Sequence, residues 1–310
     1  MLSLPRALAA CIPLVFTLLA ADGDCQDAPS QPDQIVVLRE VRYREGASRQ
    51  WTLDLAVPKG QGGKPRGAVV VIHGGGWIEG DKSSFSTADE ARPANILGFA
   101  KLGLVAATIN YRLAGEAPFP AALDDCRCAV RWLRAHAEEY RVDPARIAAY
   151  GNSAGGHLAL LLGMMPPPAP SAGEPYADRS SRVQAVISDS GPIDLVWQHE
   201  HNELRTVVEK LLGGPPEGSR LNAYKRASPS EYAGEKIPPL LLIYGEVDGQ
   251  VNIRTADEFV AALGRAGHKD VSYFRLAGVD HCPHSLVRVG YLQAAVAEFL
   301  VRTLRPTAGK

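Results

Sequence analysis

The 310-residue sequence has little net charge, no run of basic residues and no long apolar stretch. Its 33 Lys and Arg residues nearly balance its 34 Asp and Glu residues, so the formal net charge at pH 7 is −1. This balance excludes the strong positive field with which proteins recruit nucleic acid or anionic membranes. We expect a small neutral substrate, and no nucleic-acid partner.

The most apolar stretch lies near the N terminus and covers residues 11–20. It is too short to span a membrane, which needs roughly 18 or more apolar residues. Arg6 before it and the small residues Ala20 and Ala21 at its end are typical of a secretory signal peptide over residues 1–21. We therefore expect a secreted or periplasmic protein in which a polar, flexible leader, residues 22–34, precedes the fold.

Cysteine is scarce, with five in the whole chain, and Cys11 falls within the predicted signal. The other four, Cys25, Cys126, Cys128 and Cys282, leave open either one disulfide or four free thiols. Cys126 and Cys128 are two residues apart on a predicted helix, where side chains diverge, so they are poor partners for each other. A lipid anchor is an alternative to secretion, although Cys11, whose preceding residues have the right composition, comes before the apolar stretch, and Cys25 has the wrong neighbours.

Eight β-rich segments predict the strands of one sheet. They cover residues 35–43, 51–57, 68–73, 104–111, 146–150, 183–188, 240–244 and 271–276. From the third onward, helix-length segments separate them, which is typical of right-handed βαβ crossovers and a mainly parallel sheet. We expect one α/β domain over residues 35–310, with helices flanking the sheet.

The clearest helix covers residues 121–140, where apolar residues recur at spacings of three and four. Cys126 belongs to this apolar stripe, so we interpret it as core. Further helices are expected directly after Ser153 and over residues 252–266 and 285–304.

Two irregular stretches, residues 164–182 and 191–239, interrupt the alternation of strands and helices. Long loops inside a compact domain are usually functional or mobile. The second contains a short helical pattern at residues 203–212. We interpret residues 191–239 as a small cap over the site, with surface decoration as the alternative.

A serine flanked by glycines follows the fifth predicted strand and precedes an apolar helix, in the segment GNSAG at residues 151–155. In a nucleophile elbow the serine occupies a strained turn, and glycines two residues away on either side let strand and helix approach each other. The pattern is common by itself. Its position between a strand and a helix favours Ser153 as a nucleophile over an inactive glycine-rich turn.

A second glycine-rich segment, HGGGW at residues 73–77, ends the third predicted strand. Acyl transfer develops an alkoxide that preoriented amides must meet, and glycine exposes its amide without a side chain in the way. The amides of this glycine run and the amide of Ala154 are the expected donors. The segment lacks the residues of a P-loop or a dinucleotide-binding turn, so phosphate binding is disfavoured. Its histidine is expected to orient the turn, and its tryptophan to pack or to line the acyl pocket.

A serine nucleophile needs a base to take its proton and an acid to orient that base. Asp248 follows the seventh predicted strand and His281 follows the eighth, which is the chain order expected for this kind of fold. Glu246 is the alternative acid, but it follows its strand too closely. His284 is the alternative base, but it lies further from the end of its strand.

Metal binding and thiol chemistry are alternatives to these assignments. His199 and His201 lack the helical spacing of a zinc site and have no evident third ligand, so a solvated loop is favoured. Cys282 has no separate base beside it, which favours packing or a disulfide over a reactive thiol. We expect neither a metal nor a cofactor.

Taken together, these motifs resemble the esterase/lipase branch of the α/β-hydrolase superfamily. The resemblance covers residues 35–304 and rests on HGGGW at 73–77, NYR at 110–112, DCRCAVRWLRA at 125–135, GNSAGGH at 151–157 and the two late loops. Within this branch the chain is similar to bacterial feruloyl-esterase-like and kynurenine-formamidase-like carboxylesterases. The resemblance implies a nucleophile, acid and base at Ser153, Asp248 and His281, with oxyanion donors at Gly75, Gly76 and Ala154.

The sequence departs from related patterns at two places. Hormone-sensitive-lipase relatives carry their acid in an Asp-Pro-Leu-x-Asp run, whereas this chain has Gly-Glu-Val-Asp ending at Asp248. Directly before the base, where the family usually has a small residue, this chain has Asp280. The expected activity is that of a secreted serine carboxylesterase acting on short-chain esters, or on acetyl or feruloyl esters of plant polysaccharide. An arylformamidase-like or peptidase-like hydrolase and a non-catalytic hydrolase-fold binding protein are the alternatives.

Overall fold

A computed structural model describes residues 34–60, 64–86, 94–169, 173–201 and 204–305 of the chain. The predicted signal peptide, Cys25 and all of the predicted leader except Gln34 lie outside these residues. Gln34 itself is the first residue of a strand. In the part of the chain that is described, no helix has the length and apolar character needed to cross a bilayer.

The described residues form one eight-stranded sheet, as the sequence predicts. The strands are β1 (Gln34–Arg42), β2 (Thr52–Lys59), β3 (Arg66–Ile72), β4 (Val105–Ile109), β5 (Val142–Asn152), β6 (Ala185–Asp189), β7 (Leu240–Gly245) and β8 (Val271–Leu276). Their order across the sheet is β1-β2-β4-β3-β5-β6-β7-β8. β2 pairs antiparallel with β1 and β4, and every other pairing is parallel.

Eight α-helices occur in the described residues. They are α1 (Ile96–Lys101), α2 (Ala121–Ala135), α3 (Ala154–Met164), α4 (Leu195–His201), α5 (Arg205–Leu212), α6 (Arg220–Arg226), α7 (Ile253–Arg265) and α8 (Gly290–Thr303). Short 3₁₀ helices cover Lys82–Phe85 and Pro229–Tyr232. Together with the sheet, these helices give the mainly parallel α/β architecture expected from the sequence.

Strand β3 shows why the central strands are apolar throughout. Ala68, Val70 and Ile72 pack into one buried cluster, and Val69 and Val71 pack into a second. Successive side chains of a strand point to opposite faces of the sheet, and here helices cover both faces. Residues of α2, α3 and α7 contribute to the first cluster, and residues of α1 and α8 contribute to the second.

Helix α2 is shorter than predicted, because it ends at Ala135 rather than at residue 140. Past this point the chain turns, and Arg141 adopts a left-handed φ of 57°. The apolar repeat nevertheless continues, since aromatic rings at helical spacing stack on one another across the helix end: Trp132, His136 and Tyr140. Ring packing, rather than further helix, explains the last part of the repeat.

Helix α8 begins at Gly290 rather than at Ser285 as predicted. The intervening residues bond back toward the loop before them. The amide of Leu286 donates to the carbonyl oxygen of Cys282 at 2.9 Å, and the amide of Val289 donates to that of Pro283 at 3.0 Å. These local bonds replace the first turns of the expected helix.

Between β6 and β7 the chain forms α4, α5, α6 and the second 3₁₀ helix. Helix α5 lies within the predicted helical pattern and starts at Arg205. Val208, Leu211 and Tyr224 from this region are buried in the first core cluster. Residues 191–239 are therefore packed into the domain rather than attached loosely to its surface.

Three of the four cysteines considered for a disulfide are described, and all three are buried free thiols: Cys126, Cys128 and Cys282. Cys126 belongs to the core cluster, as its place on the apolar stripe predicts. Burial raises the pKa of Cys282 well above its usual range, and the charges of Asp189 and Asp248 raise it further. A neutral thiol is a poor nucleophile, so Cys282 has a packing role.

Candidate active site

Ser153 occupies the sharp turn between β5 and α3, with φ of 51° and ψ of −124°. A non-glycine residue in such a conformation costs about 1–3 kcal/mol and persists only where its surroundings hold it. The flanking glycines show how tight the turn is. A Cβ added to Gly151 would lie 2.1 Å from the carbonyl oxygen of Gly155, and one added to Gly155 would lie 2.1 Å from that of Ile72. The sequence therefore needs glycine at both positions.

His281 and Asp248 meet although 33 residues separate them along the chain. Nδ1 of His281 lies 2.7 Å from Oδ2 of Asp248, and the Asp248 carboxylate is completely buried. Oδ1 accepts the amides of Gln250 and Val251, each at 2.8 Å. Burial alone would raise the pKa of Asp248, but the hydrogen bonds from His281 and the two amides lower it below its usual value. Asp248 is thus held as an anion against the imidazole.

The alternative acid and base lie elsewhere. Glu246 pairs with Arg275 at 2.6 Å on the exposed side of the sheet. Nδ1 of His284 lies 2.9 Å from the hydroxyl of Tyr150, and burial lowers the pKa of His284 to about 4. Neither Glu246 nor His284 is among the described residues that line the cavity beside Ser153.

The glycine-rich segment after β3 approaches the turn of Ser153 directly. A Cβ added to Gly74 would lie 3.1 Å from Cβ of Ser153. Gly75 and Gly76 adopt left-handed φ values of 107° and 56°. Within the described ranges, the amides of both glycines and of Ala154 donate to no other residue. These three amides are therefore available to a ligand.

His73 contacts the backbone of the glycine segment. Its Nδ1 lies 2.7 Å from the carbonyl oxygen of Gly74, and its ring stacks on Tyr111 with 4.4 Å between centroids. The Tyr111 hydroxyl also donates to the carbonyl oxygen of His73 at 3.0 Å. Burial lowers the pKa of His73, so it stays neutral and fits the orienting role expected from the sequence.

Ser153 and His281 both line a cavity of about 430 Å³. Nε2 of His281 is buried and has no hydrogen-bond partner among the described residues, so the bond from the Ser153 hydroxyl is not formed. Such bonds often tighten only when substrate binds. Trp77 lines the cavity as predicted, and its indole donates to Nδ1 of His157 at 3.2 Å.

The region between β6 and β7 supplies one wall of this cavity. Its lining residues are Pro192, Gln198, Leu204, Val207 and Val208. Val207 reaches the glycine segment, because a Cβ added to Gly76 would lie 2.9 Å from its Cγ1. The region therefore covers the site in part, which is what the cap interpretation expects.

The histidines considered for a metal have other partners. Nε2 of His199 lies 2.8 Å from Glu209, while His201 is exposed and stacks on Trp197. No group of three or more metal-ligating side chains is found among the residues that the structure describes.

Two residues near the site were missed in the sequence analysis. Asp189 is completely buried at the carboxyl end of β6. Its carboxylate accepts a hydrogen bond from the amide of Ser285, and its carbonyl oxygen accepts one from the amide of Ser153. In parallel α/β sheets, functional residues gather at the carboxyl ends of strands, so its position directly after an apolar run was a usable signal. No sequence signal indicated that Val207 lines the cavity, because its position there depends on how α5 packs.

The chain also matches a known protein family. The model of the BD-FAE family matches residues 53–263. The chain belongs to the BD-FAE family. Its fold is that of the α/β-hydrolase esterases and lipases, as the resemblance implies.

Among curated relatives, this BD-FAE chain is 30% identical over 233 residues to the probable carboxylic ester hydrolase LipM of Mycobacterium tuberculosis. The match covers 74% of this chain and 52% of LipM. Esterase LipC of the same organism is 28% identical, with 87% of this chain and 66% of LipC covered. The BD-FAE chain thus spans between half and two thirds of the length of these relatives.

Solved structures agree with this placement. A truncated carbohydrate esterase from gut microbiota superposes with a TM-score of 0.75 at 23% identity, covering 90% of this chain and 99% of the other. Esterase Est2 of Thermogutta terrifontis superposes with a TM-score of 0.69 at 26% identity, covering 91% and 97%. A further structure shows esterase 2 of that organism phosphonylated by sarin, at 25% identity and a TM-score of 0.70, covering 91% and 100%.

Proposed function

We propose that this chain is a serine carboxylesterase that acts through a covalent acyl-enzyme. The observation that carries the proposal is the convergence of three groups on one cavity. Ser153 lies in a strained turn, His281 is held by Asp248, and free glycine amides lie beside them. A nucleophile, an oriented base and oxyanion donors are the parts that acyl transfer requires.

In the acylation step, Oγ of Ser153 attacks the ester carbonyl carbon while its proton passes to Nε2 of His281. Asp248 accepts the Nδ1 proton of His281 in a hydrogen bond and stabilises the imidazolium that forms. The ester carbonyl becomes an alkoxide, which the free amides of the site would bind: Gly75, Gly76 and Ala154.

Collapse of this intermediate breaks the bond to the alcohol, which leaves with the proton held by His281. Water then enters, gives a proton to His281 and attacks the acyl group on Ser153. A second collapse releases the carboxylic acid and returns the proton to Ser153. The same base thus serves both halves of the reaction.

The proposed substrates are short-chain esters, or acetyl or feruloyl esters linked to plant polysaccharide. A volume of about 430 Å³ suits a small ligand, and the lining is rich in apolar side chains such as Trp77 and Val207. Glu79 is the one Asp, Glu, Lys or Arg residue among the described lining residues, which favours uncharged substrates over anionic ones. The carbohydrate esterase that shares this fold supports a polysaccharide-linked ester.

Export from the cytoplasm is part of the proposal. The pattern of residues 1–21 supports a cleaved signal peptide and a secreted or periplasmic enzyme. N-terminal sequencing of protein recovered from the periplasm or medium would give a mature chain beginning near residue 22. An uncleaved N terminus in the cytoplasmic fraction would refute this part.

Ester hydrolysis by wild type and by Ser153→Ala tests the reaction itself. We expect p-nitrophenyl acetate turnover and fluorophosphonate labelling in wild type, and neither in Ser153→Ala. Ser83→Ala is the matched control, since Ser83 is exposed and outside the cavity lining. Equal turnover by wild type and Ser153→Ala would refute the proposal and favour a binding protein.

A substrate panel then tests the class. Acetylated xylan and methyl ferulate are compared with short and long p-nitrophenyl esters and with N-formylkynurenine. Preference for N-formylkynurenine would favour the arylformamidase alternative over the proposed ester substrates.

A further inference from the structure

Asp189, the last residue of β6, is completely buried beneath the loop that carries His281. Its Oδ2 accepts the amide of Ser285 at 2.8 Å and the hydroxyl of Ser285 at 2.6 Å. Its Oδ1 accepts the amide of His284 at 3.2 Å, and the hydroxyl of Tyr150 donates to Oδ2 at 3.4 Å. The carboxylate therefore collects donors from the base loop, residues 281–285, and from the strand that ends at the nucleophile.

The backbone of the same residue holds the nucleophile. The amide of Ser153 donates to the carbonyl oxygen of Asp189 at 2.8 Å, and Sγ of Cys282 donates to that oxygen at 3.6 Å. The next residue, Ser190, accepts the amide of Cys282 on its hydroxyl at 3.0 Å. One short segment at the end of β6 thus binds both the turn of Ser153 and the base loop.

The base loop needs such support because its backbone is strained. Cys282, directly after His281, has a left-handed φ of 54° without being glycine. A residue in this region persists only where neighbouring contacts determine its conformation. The bonds to Asp189 and Ser190 are the contacts that do so here.

An ionised carboxylate only accepts hydrogen bonds, which matches the donors that surround Asp189. An asparagine would turn an NH₂ group toward at least one of those donors. The titratable groups that face Asp189 are Tyr150 from β5, Tyr244 from β7 and three residues of the base loop: His281, Cys282 and His284. Lys and Arg are absent from this described set. Burial raises the pKa of Asp189, and the hydrogen bonds from Ser285 and His284 oppose that rise.

We propose that Asp189 is a positioning residue for the proposed ester hydrolysis. Its carboxyl group fixes the base loop through the bonds to His284 and Ser285, so that His281 faces Ser153. It touches no reacting atom and lines no part of the cavity. The inference rests on the proposed function of the same site.

Asp189→Asn tests this role. We expect kcat for p-nitrophenyl acetate to fall by about 10²-fold with little change in KM, since a displacement of about 1 Å in a catalytic group has effects of that size. Fluorophosphonate labelling of Ser153 should slow in parallel. The acid limb of the kcat/KM profile should also shift, because Asp189→Asn changes the hydrogen bonds that hold the loop of His281.

Asp125→Asn is the control for loss of a buried carboxylate. Asp125 is equally buried, but it lies in α2 and accepts bonds from Arg112 and Trp51, away from both loops. This variant should melt at a lower temperature yet keep kcat and the acid limb of wild type. An equal fall of kcat in both variants would show a general effect of stability and overturn the inference.

A folded Asp189→Asn with the kcat and acid limb of wild type would also overturn it. If Asp189→Asn does not fold, Ser285→Ala decides, because it removes a single bond to Asp189. We expect kcat to fall by about three- to tenfold, as for the loss of one hydrogen bond of ordinary strength. Wild-type values in Ser285→Ala would then refute the inference. If wild type itself neither hydrolyses esters nor reacts with fluorophosphonate, the proposed function fails instead.

Discussion

Replacing Asp248 by asparagine tests the acid assignment with little disturbance to the loop that carries it. Oδ1 accepts the amides of Gln250 and Val251, and an asparagine oxygen can keep both bonds. The other half of the side chain, 2.7 Å from Nδ1 of His281, becomes an NH₂ donor. A donor there requires Nδ1 to be unprotonated, so the proton moves to Nε2. The imidazole then cannot accept the proton of Ser153.

The expected loss follows from this change of tautomer. In a serine triad, the same substitution lowers kcat by about 10⁴-fold while leaving the geometry intact. That factor corresponds to about 5.5 kcal/mol of activation free energy. We expect Asp248→Asn to bind substrate with nearly unchanged KM and to keep its circular dichroism spectrum. Its turnover of p-nitrophenyl acetate should approach the background rate.

Glu246→Gln is the matched comparison. Glu246 lies two residues away and pairs with Arg275 at the surface, so its substitution should leave kcat unchanged. If Asp248→Asn retained kcat within about tenfold of wild type, the triad logic would be wrong for this site. Loss of activity in Glu246→Gln alone would transfer the acid role to that residue.

Three further predictions concern the oxyanion loop, the cavity wall and acid stability. Gly76→Ala keeps the backbone amide, but its Cβ would lie 2.9 Å from Cγ1 of Val207 at a left-handed φ of 56°. The displaced amide should lower kcat by up to about 10²–10³-fold, the effect of losing an oxyanion donor. Adding Val207→Ala removes the contact but not the left-handed φ, so kcat should stay low, and full recovery in steady-state assays would refute this. Val207→Ala should raise the ratio of kcat/KM for hexanoyl over acetyl esters by about tenfold, because it widens the cavity. Val260→Ala, on α7 and outside the cavity lining, is the control. An unchanged ratio in Val207→Ala would show that Val207 does not limit the length of the acyl chain. Burial lowers the pKa of His157 and of His284 to about 4, so both stay neutral while the unfolded chain gains protons below its usual pKa of about 6.5. Stability should therefore fall between pH 6.5 and 4, by roughly 3 kcal/mol for each histidine, and urea unfolding of His157→Gln should show a weaker decline.

The acid prediction has a clear structural basis at His157. Its Nδ1 accepts the indole proton of Trp77 at 3.2 Å, and its Nε2 lies 2.6 Å from the carbonyl oxygen of Ala227. Both nitrogens are satisfied only in the neutral form that carries its proton on Nε2. Protonation of Nδ1 would place two donors against each other.

The strands were predictable because their cause is local. A strand covered on both faces must be apolar at every position, and β3 shows this with its unbroken run from Ala68 to Ile72. The ends of α2 and α8 were not predictable in this way. Ring stacking extends the apolar repeat beyond Ala135, and bonds within the base loop delay α8 to Gly290.

The candidate nucleophile, acid and base were also found from the sequence, because each follows a recognisable strand. Their assignment stays a prediction until variants are measured, although the contact between His281 and Asp248 agrees with it. The buried residues that hold these three groups in place were not predictable. Asp189 contacts residues 95 and 96 positions later in the chain, and no local pattern records such partners.

The contact between Val207 and the glycine segment divides the site between two parts of the chain. The groups proposed for chemistry lie at the carboxyl edge of the sheet, whereas one wall of the cavity comes from α5. Substitutions in α5 can therefore reshape substrate choice while leaving the bond-breaking groups in place. A library that randomises the cavity-facing positions of this helix is a direct way to obtain esterases of new selectivity from the same scaffold.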